Sequence, residues 1–429
     1  MKALIKTTLY TAIFLISKEI IAQPRDTINL TTTQVEEIFI RQNLLLIAEK
    51  FQIDIADAAI KQAKLWTNPT FTVENVNLWS SDDLRDEMAG IFPDKSPIPN
   101  RQFAVGIEQI ILTGGKRRKL VEMEKVSRDI AEQYFEELLR SLKVELRNIC
   151  AEILYLQEYK KILEKQQKLL NVLISNYRNQ SLQGNVSRSE LLRLQATLLQ
   201  IRSELNELQK DMNQQQKELK TLLNISTQSH IVLIATEINT KSPDELQYSK
   251  MIELAETSRP DLKEAMFQKE FFEKSLRYEK AQRKPDIALS AVYDRASGIT
   301  SNYVGFGISF DLPFFDRNHG NIKATQISIS QSQTFIELKQ LEIHNEVNQA
   351  LQNYKLAFDF NRQISDEFIA DLDEMQESYN RNFINRNIGI IEFIDFFEAY
   401  IENKRTVLSA KKELKICFEE LKYAVGTEI

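Results

Sequence analysis

Apolar positions along most of this chain recur at alternating steps of four and three. One series runs Phe135, Leu139, Leu142, Leu146, Ile149, Ile153, Leu156, and continues through Lys160, Leu163, Gln167, Leu170, Ile174 and Tyr177. Neither proline nor glycine interrupts it after Gly115. Sustained heptads of this kind predict helices packed side by side, knobs into holes. A break at Ser181-Leu182-Gln183-Gly184-Asn185 precedes a second series, Leu191, Leu194, Leu198, Ile201, Leu205, Leu208, Met212, Leu219 and Leu222. The two together predict a long antiparallel helical hairpin over 115–224.

The same plan returns in the second half of the chain. A helical pattern runs from about Gly320 to Asn382, breaks near Asn385-Arg386-Asn387, and resumes from Gly389 to about Val425. Tyr177 to Leu192 reads YRNQSLQGNVSRSELL and Tyr379 to Ile394 reads YNRNFINRNIGIIEFI, so that a spacing of 202 aligns Tyr177 with Tyr379, Asn185 with Asn387 and Glu190 with Glu392. The chain is therefore expected to be an internal duplication of roughly 200 residues. The first repeat is expected over 23–224, a connector over 225–248 with the apolar run His230–Ala235, and the second repeat over 249–429. Shorter helices are expected over about 31–67 and 249–283.

Each repeat also holds one region whose period is two. In the first, Thr70–Asn75 follows Pro69, and Gln102–Glu108 follows a loop containing Pro93, Pro97 and Pro99; in the second, Ile287–Asp294 follows Pro285 and Val304–Asp311 ends before Pro313. These predict strand pairs over 69–111 and 285–312. One face collects Phe103, Val105, Ile107, Val304, Phe306, Ile308 and Phe310, and the other collects Gln102, Ala104, Gly106, Glu108, Gly305, Gly307, Ser309 and Asp311. A soluble hairpin packed on a helix would alternate in the same way. Here the neighbouring helices are committed to their own seams, and strands of about ten residues suit tilted staves of a membrane barrel. Four strands cannot close, and an open edge in hydrocarbon leaves backbone groups unpaired at a cost of several kcal/mol each. Closure then requires other copies of the chain. Two would give a filled interior, and three, with twelve strands, an aqueous passage lined by residues as small as Ala104, Gly305 and Gly307.

Composition narrows the picture without changing it. Of 429 residues, 43% are hydrophobic and 27% charged, with 11 Gly, 9 Pro and 2 Cys. That excludes a disordered, collagenous or disulfide-scaffolded chain. The formal charge of −6 supplies no basic footprint for nucleic acid. Lys2 and Lys6 precede an apolar run from Leu9 to Ile16, and the next small residue suited to cleavage is Ala22, which reads as a signal peptide over 1–22. Beyond it no stretch approaches the roughly 18 consecutive apolar residues of a membrane helix. As single helices, 115–180 and 320–382 would extend about 99 and about 95 Å, comparable with the width of a periplasm. Cys150 and Cys417 lie in helical patterns and read as small buried hydrophobes, their pairing left open.

The duplicated layout, the Gly114-Gly115-Lys116-Arg117 helix entry, the Leu312-Pro313-Phe314-Phe315-Asp316-Arg317 segment and the Gly389-Ile390-Ile391-Glu392-Phe393-Ile394-Asp395 turn exit together resemble the TolC-type outer membrane efflux family, nearest its cation and drug efflux branch. The resemblance covers the chain beyond the leader. It implies a mainly α fold with a small β part: a homotrimeric channel-tunnel, with a 12-stranded transmembrane β-barrel in outer membrane lipid and an α-helical coiled-coil barrel in the periplasm. It implies docking to a periplasmic adaptor (membrane fusion protein) and an inner-membrane transporter of the resistance-nodulation-division type. The turns that carry Gly184, Asn185, Asn387 and Gly389 are the expected docking points. Glu392 and Asp395 match the family's acidic gate. Residues three apart share a helical face, so three copies would ring a narrow opening with up to six carboxylates. The residues by themselves leave a solvated helix face equally open.

No other chemistry competes. Gly114-Gly115-Lys116-Arg117 lacks the upstream glycine and the following Ser or Thr of a phosphate-binding loop. His230, His319 and His344 are scattered, so no metal or other cofactor is expected. No nucleophile, base and orienting residue group together, which argues against an enzyme. A secreted coiled-coil spacer or adhesin would explain the heptads but leaves the strand pairs and the repeat without a purpose. The exported substrate is not legible in the sequence.

Overall fold

The computed structural model describes residues 27–77, 102–235, 240–297 and 300–429, so the leader expected over 1–22 and the loop containing Pro93, Pro97 and Pro99 lie outside the described residues. In chain order the elements are β1 (Thr27–Thr31), α1 (Thr32–Gln42), α2 (Leu44–Ala63), β2 (Thr70–Asn77), β3 (Gln102–Ile111), α3 (Lys116–Leu182), α4 (Arg188–Leu223) and β4 (His230–Ile234). A single 3₁₀ turn at Pro243–Glu245 follows, then α5 (Tyr248–Ser258), α6 (Pro260–Gln282), β5 (Ile287–Ser297), β6 (Thr300–Phe310), α7 (His319–Gln363), α8 (Asp366–Ile384) and α9 (Ile390–Val425). Contacts divide the chain into two units, one drawn from residues up to Leu45, Ser141–Gln247 and Gln349–Tyr423, the other from Leu46–Arg140, Tyr248–Asn348 and Ala424–Ile429.

The first unit holds the turns of both helical hairpins, with α3 from Ser141 and α7 from Gln349. Its core is the heptad series read from the sequence: Leu146, Ile153, Leu163, Leu170, Leu194 and Leu219 are completely or almost completely buried. It also contains a two-stranded parallel sheet, β1 beside β4, in register from Thr27↔His230 to Thr31↔Ile234. The expected connector is thus in part a strand. Glutamine side chains act as surrogate strands along β4: Gln216 exchanges two hydrogen bonds with the backbone of Ile231 (2.6 and 3.1 Å), and Gln157 two with Leu233 (2.9 and 3.0 Å). Buried backbone groups need such partners. Thr31 then closes β1 and caps α1 through a reciprocal box with Gln34.

The second unit is organised on an antiparallel four-stranded sheet in the order β2-β3-β5-β6. The two sequence repeats meet at the β3–β5 pairing, which runs from Ala104↔Asp294 to Ile111↔Ile287. A bulge between Glu74 and Asn77 interrupts β2, with Asn75 in the left-handed region at φ 53°.

Three of the expected helices are each two. The run expected over 31–67 breaks at Asn43, that over 249–283 at Arg259-Pro260, and that from Gly320 to Asn382 at Ile364-Ser365. The causes are specific to each break. Ser365 accepts a hydrogen bond from the Phe368 N–H (3.1 Å), and Asp366 and Glu367 stand in the new first turn. Pro260 starts α6 where its missing N–H costs nothing. Asn43 adopts an extended conformation and donates from Nδ2 to the Leu222 carbonyl at 2.9 Å.

The duplication persists at this level of detail. α1 and α5 each have 11 residues and each ends at a buried polar residue, Asn43 or Arg259. Arg259 donates to the Ala424 carbonyl at 3.0 Å, which is 202 residues beyond Leu222. The left-handed residues that close α4 and α9, Asn224 (φ 52°) and Gly426 (φ 81°), have the same spacing. Arg259 is 2% exposed and also pairs with Asp261 (2.7 Å) and Glu346 (2.6 Å). Burial pushes the Asp261 carboxyl up, but the hydrogen bonds and charge of Arg259, with Arg140 and Lys339 behind them, outweigh it and hold the group below its ordinary value.

Candidate functional site: the two helical turns and the apolar sheet face

The turn between α3 and α4 is built by a left-handed glycine. Gly184 sits at φ 76°, its N–H bonded to the Ser181 carbonyl (3.1 Å), while the Asn185 N–H reaches back to Gln180 (3.0 Å). This pair of bonds satisfies the last helical carbonyls, and such a position favours glycine because it has no Cβ. The turn between α8 and α9 repeats the pattern with other residues. Arg386 occupies the left-handed position (φ 63°), its N–H bonded to Phe383 (3.1 Å), and the Asn387 N–H bonds Asn382 (2.8 Å). Ser187 and Gly389 then accept from the N–H groups of Leu191 and Phe393 as the next helices begin. Within this unit the two turns touch, because the Arg386 guanidinium bonds the Gln180 side-chain oxygen.

Behind the turns lies an aromatic stack that sequence reading missed. Tyr177 stacks on Phe383 at 5.2 Å between ring centroids, Phe383 on Phe393 at 4.2 Å, and Tyr379 on Phe396 at 4.0 Å. Phe383, Phe393 and Phe397 are buried, so α9 presents one greasy edge inward and Glu392 and Asp395 outward. The two carboxylates are exposed, one helical turn apart. Farther along α9, Glu398 and Glu402 face Glu204, Glu207 and Asp211 of α4 across an open groove of about 680 Å³. The available signal for the stack was the run of Phe and Tyr at helical spacing between Tyr379 and Tyr400.

In the other unit, the strand register decides which side chains share a face. Phe103, Val105 and Ile107 lie in β3, where Val105 faces Tyr293 and Ile107 faces Ala291 of β5. Those two face Val304 and Phe306 of β6, and Leu289 and Ile287 face Ile308 and Phe310. All seven residues named from alternation therefore line one face, joined by Phe71 and Val73 of β2. Phe306 is 86% exposed and Ile308 71%. The opposite face is small or polar around Ala104, Gly106, Ser290, Gly305, Gly307 and Ser309, with Ile110, Val292 and Tyr303 as larger exceptions. A Cβ at Gly106 or Gly307 would come within 2.7 Å of the Thr72 hydroxyl or 2.5 Å of the Ser290 hydroxyl on the adjoining strands, so that a larger residue would require those side chains to turn away.

The sites set aside in the sequence stay separate. His344 pairs with Glu256 at 3.0 Å, and among the described residues no group of three or more His, Cys, Asp or Glu is placed to hold a metal ion. Cys150 and Cys417 are both free and buried, and burial pushes each thiol up to about 12. Among the described residues no helix is long and apolar enough to cross a membrane.

Two long helical hairpins joined to a four-stranded sheet, in a duplicated chain, define the class of TolC-like channel-tunnel proteins. The family model for outer membrane efflux protein matches residues 39–224 and 251–413, so the chain belongs to that family and is an outer membrane protein. Solved structures of the same fold include CusC, with 16% identity over 94% of this chain and 94% of that one (TM-score 0.70). CmeC, the outer membrane channel of Campylobacter jejuni, is 13% identical over 92% of this chain and 85% of its own (TM-score 0.71). VceC of Vibrio cholerae is 13% identical over 92% of this chain and 96% of its own (TM-score 0.69). No curated protein matches the chain in sequence.

Proposed function

We propose that the protein is the outer membrane channel of a tripartite efflux system, acting as a homotrimer that passively conducts substrates delivered by a periplasmic adaptor and an inner-membrane pump of the resistance-nodulation-division type. The observation that carries this reading is the sheet: an exposed apolar face, an opposite face mostly of small and polar residues, and β2 and β6 as outermost strands, each paired on one side only among the described residues. Such edges are tolerated in hydrocarbon only if the sheet closes. Three copies supply twelve strands, with Phe103, Val105, Ile107, Val304, Phe306, Ile308 and Phe310 toward lipid and the glycine-lined face toward water.

Glu392 and Asp395 form the gate in this reading. Repeated by threefold symmetry they would gather carboxylates around one opening, favouring cations and repelling one another until a partner or cation relieves the repulsion. Gly184, Asn185, Asn387 and Gly389 place the two turns for contact with adaptor and pump. No binding pocket for substrate is needed, since selection rests with the pump and adaptor.

Reconstitution in planar bilayers tests the reading. The purified protein should run as a heat-sensitive trimer and conduct ions, and changing both Glu392 and Asp395 to Ala should raise single-channel conductance and weaken cation selectivity. Unchanged conductance and selectivity would remove the gate assignment. A detergent-solubilised monomer unable to pass ions would remove the channel itself.

A further inference from the structure

The sheet ends abruptly in a belt of aromatic and basic side chains. Strand register brings the end of β3 (Ile111), the start of β5 (Ile287) and the end of β6 (Phe310) to one edge, and the start of β2 joins them through Thr67, whose hydroxyl donates to the Ile110 carbonyl at 2.7 Å. Just outside this edge stand Trp66, which is 63% exposed, and the exposed rings of Phe314 and Phe315. The Arg117 guanidinium lies over the Trp66 ring, 4.1 Å from its centroid. Arg118, Arg283, Lys284 and Arg317 are exposed along the same edge.

The charge is not neutralised within the unit. Asp286 is already used by Lys116 (2.8 Å) and by the Thr113 N–H (2.9 Å). Arg118 has only Glu122 at 3.7 Å, and among the described residues Arg283, Lys284 and Arg317 make no ion pair. Asp316, which accepts from the Asn318 N–H at 2.8 Å, and Asp311 keep their negative charge, yet Arg117, Arg118, Arg283, Lys284 and Arg317 outnumber them along this edge. A surplus of exposed cations beside exposed aromatic rings is complemented by a surface that offers anions at the depth where hydrocarbon begins.

We infer that this edge is a docking surface for the phosphate headgroups of anionic phospholipids in the membrane leaflet that meets the sheet, with Trp66, Phe314 and Phe315 seated at the headgroup level and Arg118, Arg283 and Lys284 supplying the charge. The inference rests on the reading of the apolar face as the lipid-facing wall, with which the belt is continuous. It adds that the protein discriminates between leaflets by their headgroups.

The test compares insertion of the full-length protein into vesicles of phosphatidylcholine alone and of equimolar phosphatidylcholine and phosphatidylglycerol, read as channel-forming insertions per added protein. The wild type should insert about tenfold more readily into the anionic vesicles, and high salt should remove the advantage. The triple variant R118Q/R283Q/K284Q should insert into neutral vesicles as the wild type does and lose the preference. Equal insertion of the wild type into both vesicles, or a preference retained by the triple variant, overturns this inference and leaves the channel intact. Failure of the wild type to insert into either overturns the proposed function as well.

Discussion

The two helical hairpins of the first unit share a backbone and differ in chemistry. At the turns, Gly184 and Arg386 occupy equivalent left-handed positions and make equivalent hydrogen bonds. Beyond them, Glu190 and Arg193 in the first hairpin correspond to Glu392 and Asp395 in the second. One helix thus carries a self-compensating pair, the other two like charges. Deeper in, Arg202 donates to the Asn171 side chain at 3.4 Å, and the equivalent pair, Lys404 and Asp373, is a salt bridge at 2.8 Å joined by the Tyr400 hydroxyl. Duplication preserved the geometry that makes a hairpin. The second hairpin differs in its aromatic packing and negative charge, neither of which the hairpin itself requires.

Breaking the second hairpin's aromatic stack should have the largest effect. Phe393→Ala removes a buried ring that stacks on Phe383, and should cost about 3–5 kcal/mol in chemical denaturation. Its equivalent, Leu191, is only half-buried, so Leu191→Ala should cost clearly less. Equal losses would mean that the stack adds nothing beyond ordinary packing.

Exchanging the turn residues sharpens the comparison further. Gly184→Ala places a Cβ at φ 76° and should cost about 1 kcal/mol, while Arg386→Gly removes that same cost from the second turn but also removes the bond to Gln180. The first should lower the denaturation midpoint and the second should leave it within a small margin of the wild type. A large loss in Arg386→Gly would show that the bridge between the turns outweighs the backbone.

The smallest effect concerns pH. Burial pushes the Asp373 carboxyl up, yet hydrogen bonds from Lys404 and Tyr400 and the lysine charge hold it below its ordinary value. A lowered carboxyl stabilises the fold above its unfolded-state value and loses that contribution as pH falls through the folded one. Because Asp373 is half exposed, the contribution is screened, and Asp373→Asn should cost less than about 1 kcal/mol at neutral pH. The variant should also flatten the acid limb of the stability profile. Asn171→Ala in the first hairpin should leave that limb as it was.

The buried seams of the helices and the two faces of the strands were legible in the sequence because they are periodic. Heptads named the buried leucines of α3 and α4, and alternation named seven residues that the register of β3, β5 and β6 gathers on one face. The helix breaks at Asn43 and Ser365 were not legible, since each depends on a capping bond that replaces an intrahelical one, and for Asn43 the partner lies 179 residues away. Glu392 and Asp395, the carboxylates proposed as a gate, were legible as a motif and as two residues on one exposed helical face. The gating proposed for them would belong to the assembly of copies.

By itself the sequence determined the duplication, the hairpins and the two-faced strands, because each follows from the spacing of apolar residues within a short window. Only the tertiary structure decided that β1 pairs with β4, that Gln157 and Gln216 complete that strand's hydrogen bonds, and that Arg259 is buried against Asp261, Glu346 and the end of α9. These contacts join residues that local periodicity treats as unrelated. Their physical basis is the requirement that every buried polar group find a partner wherever the chain brings one.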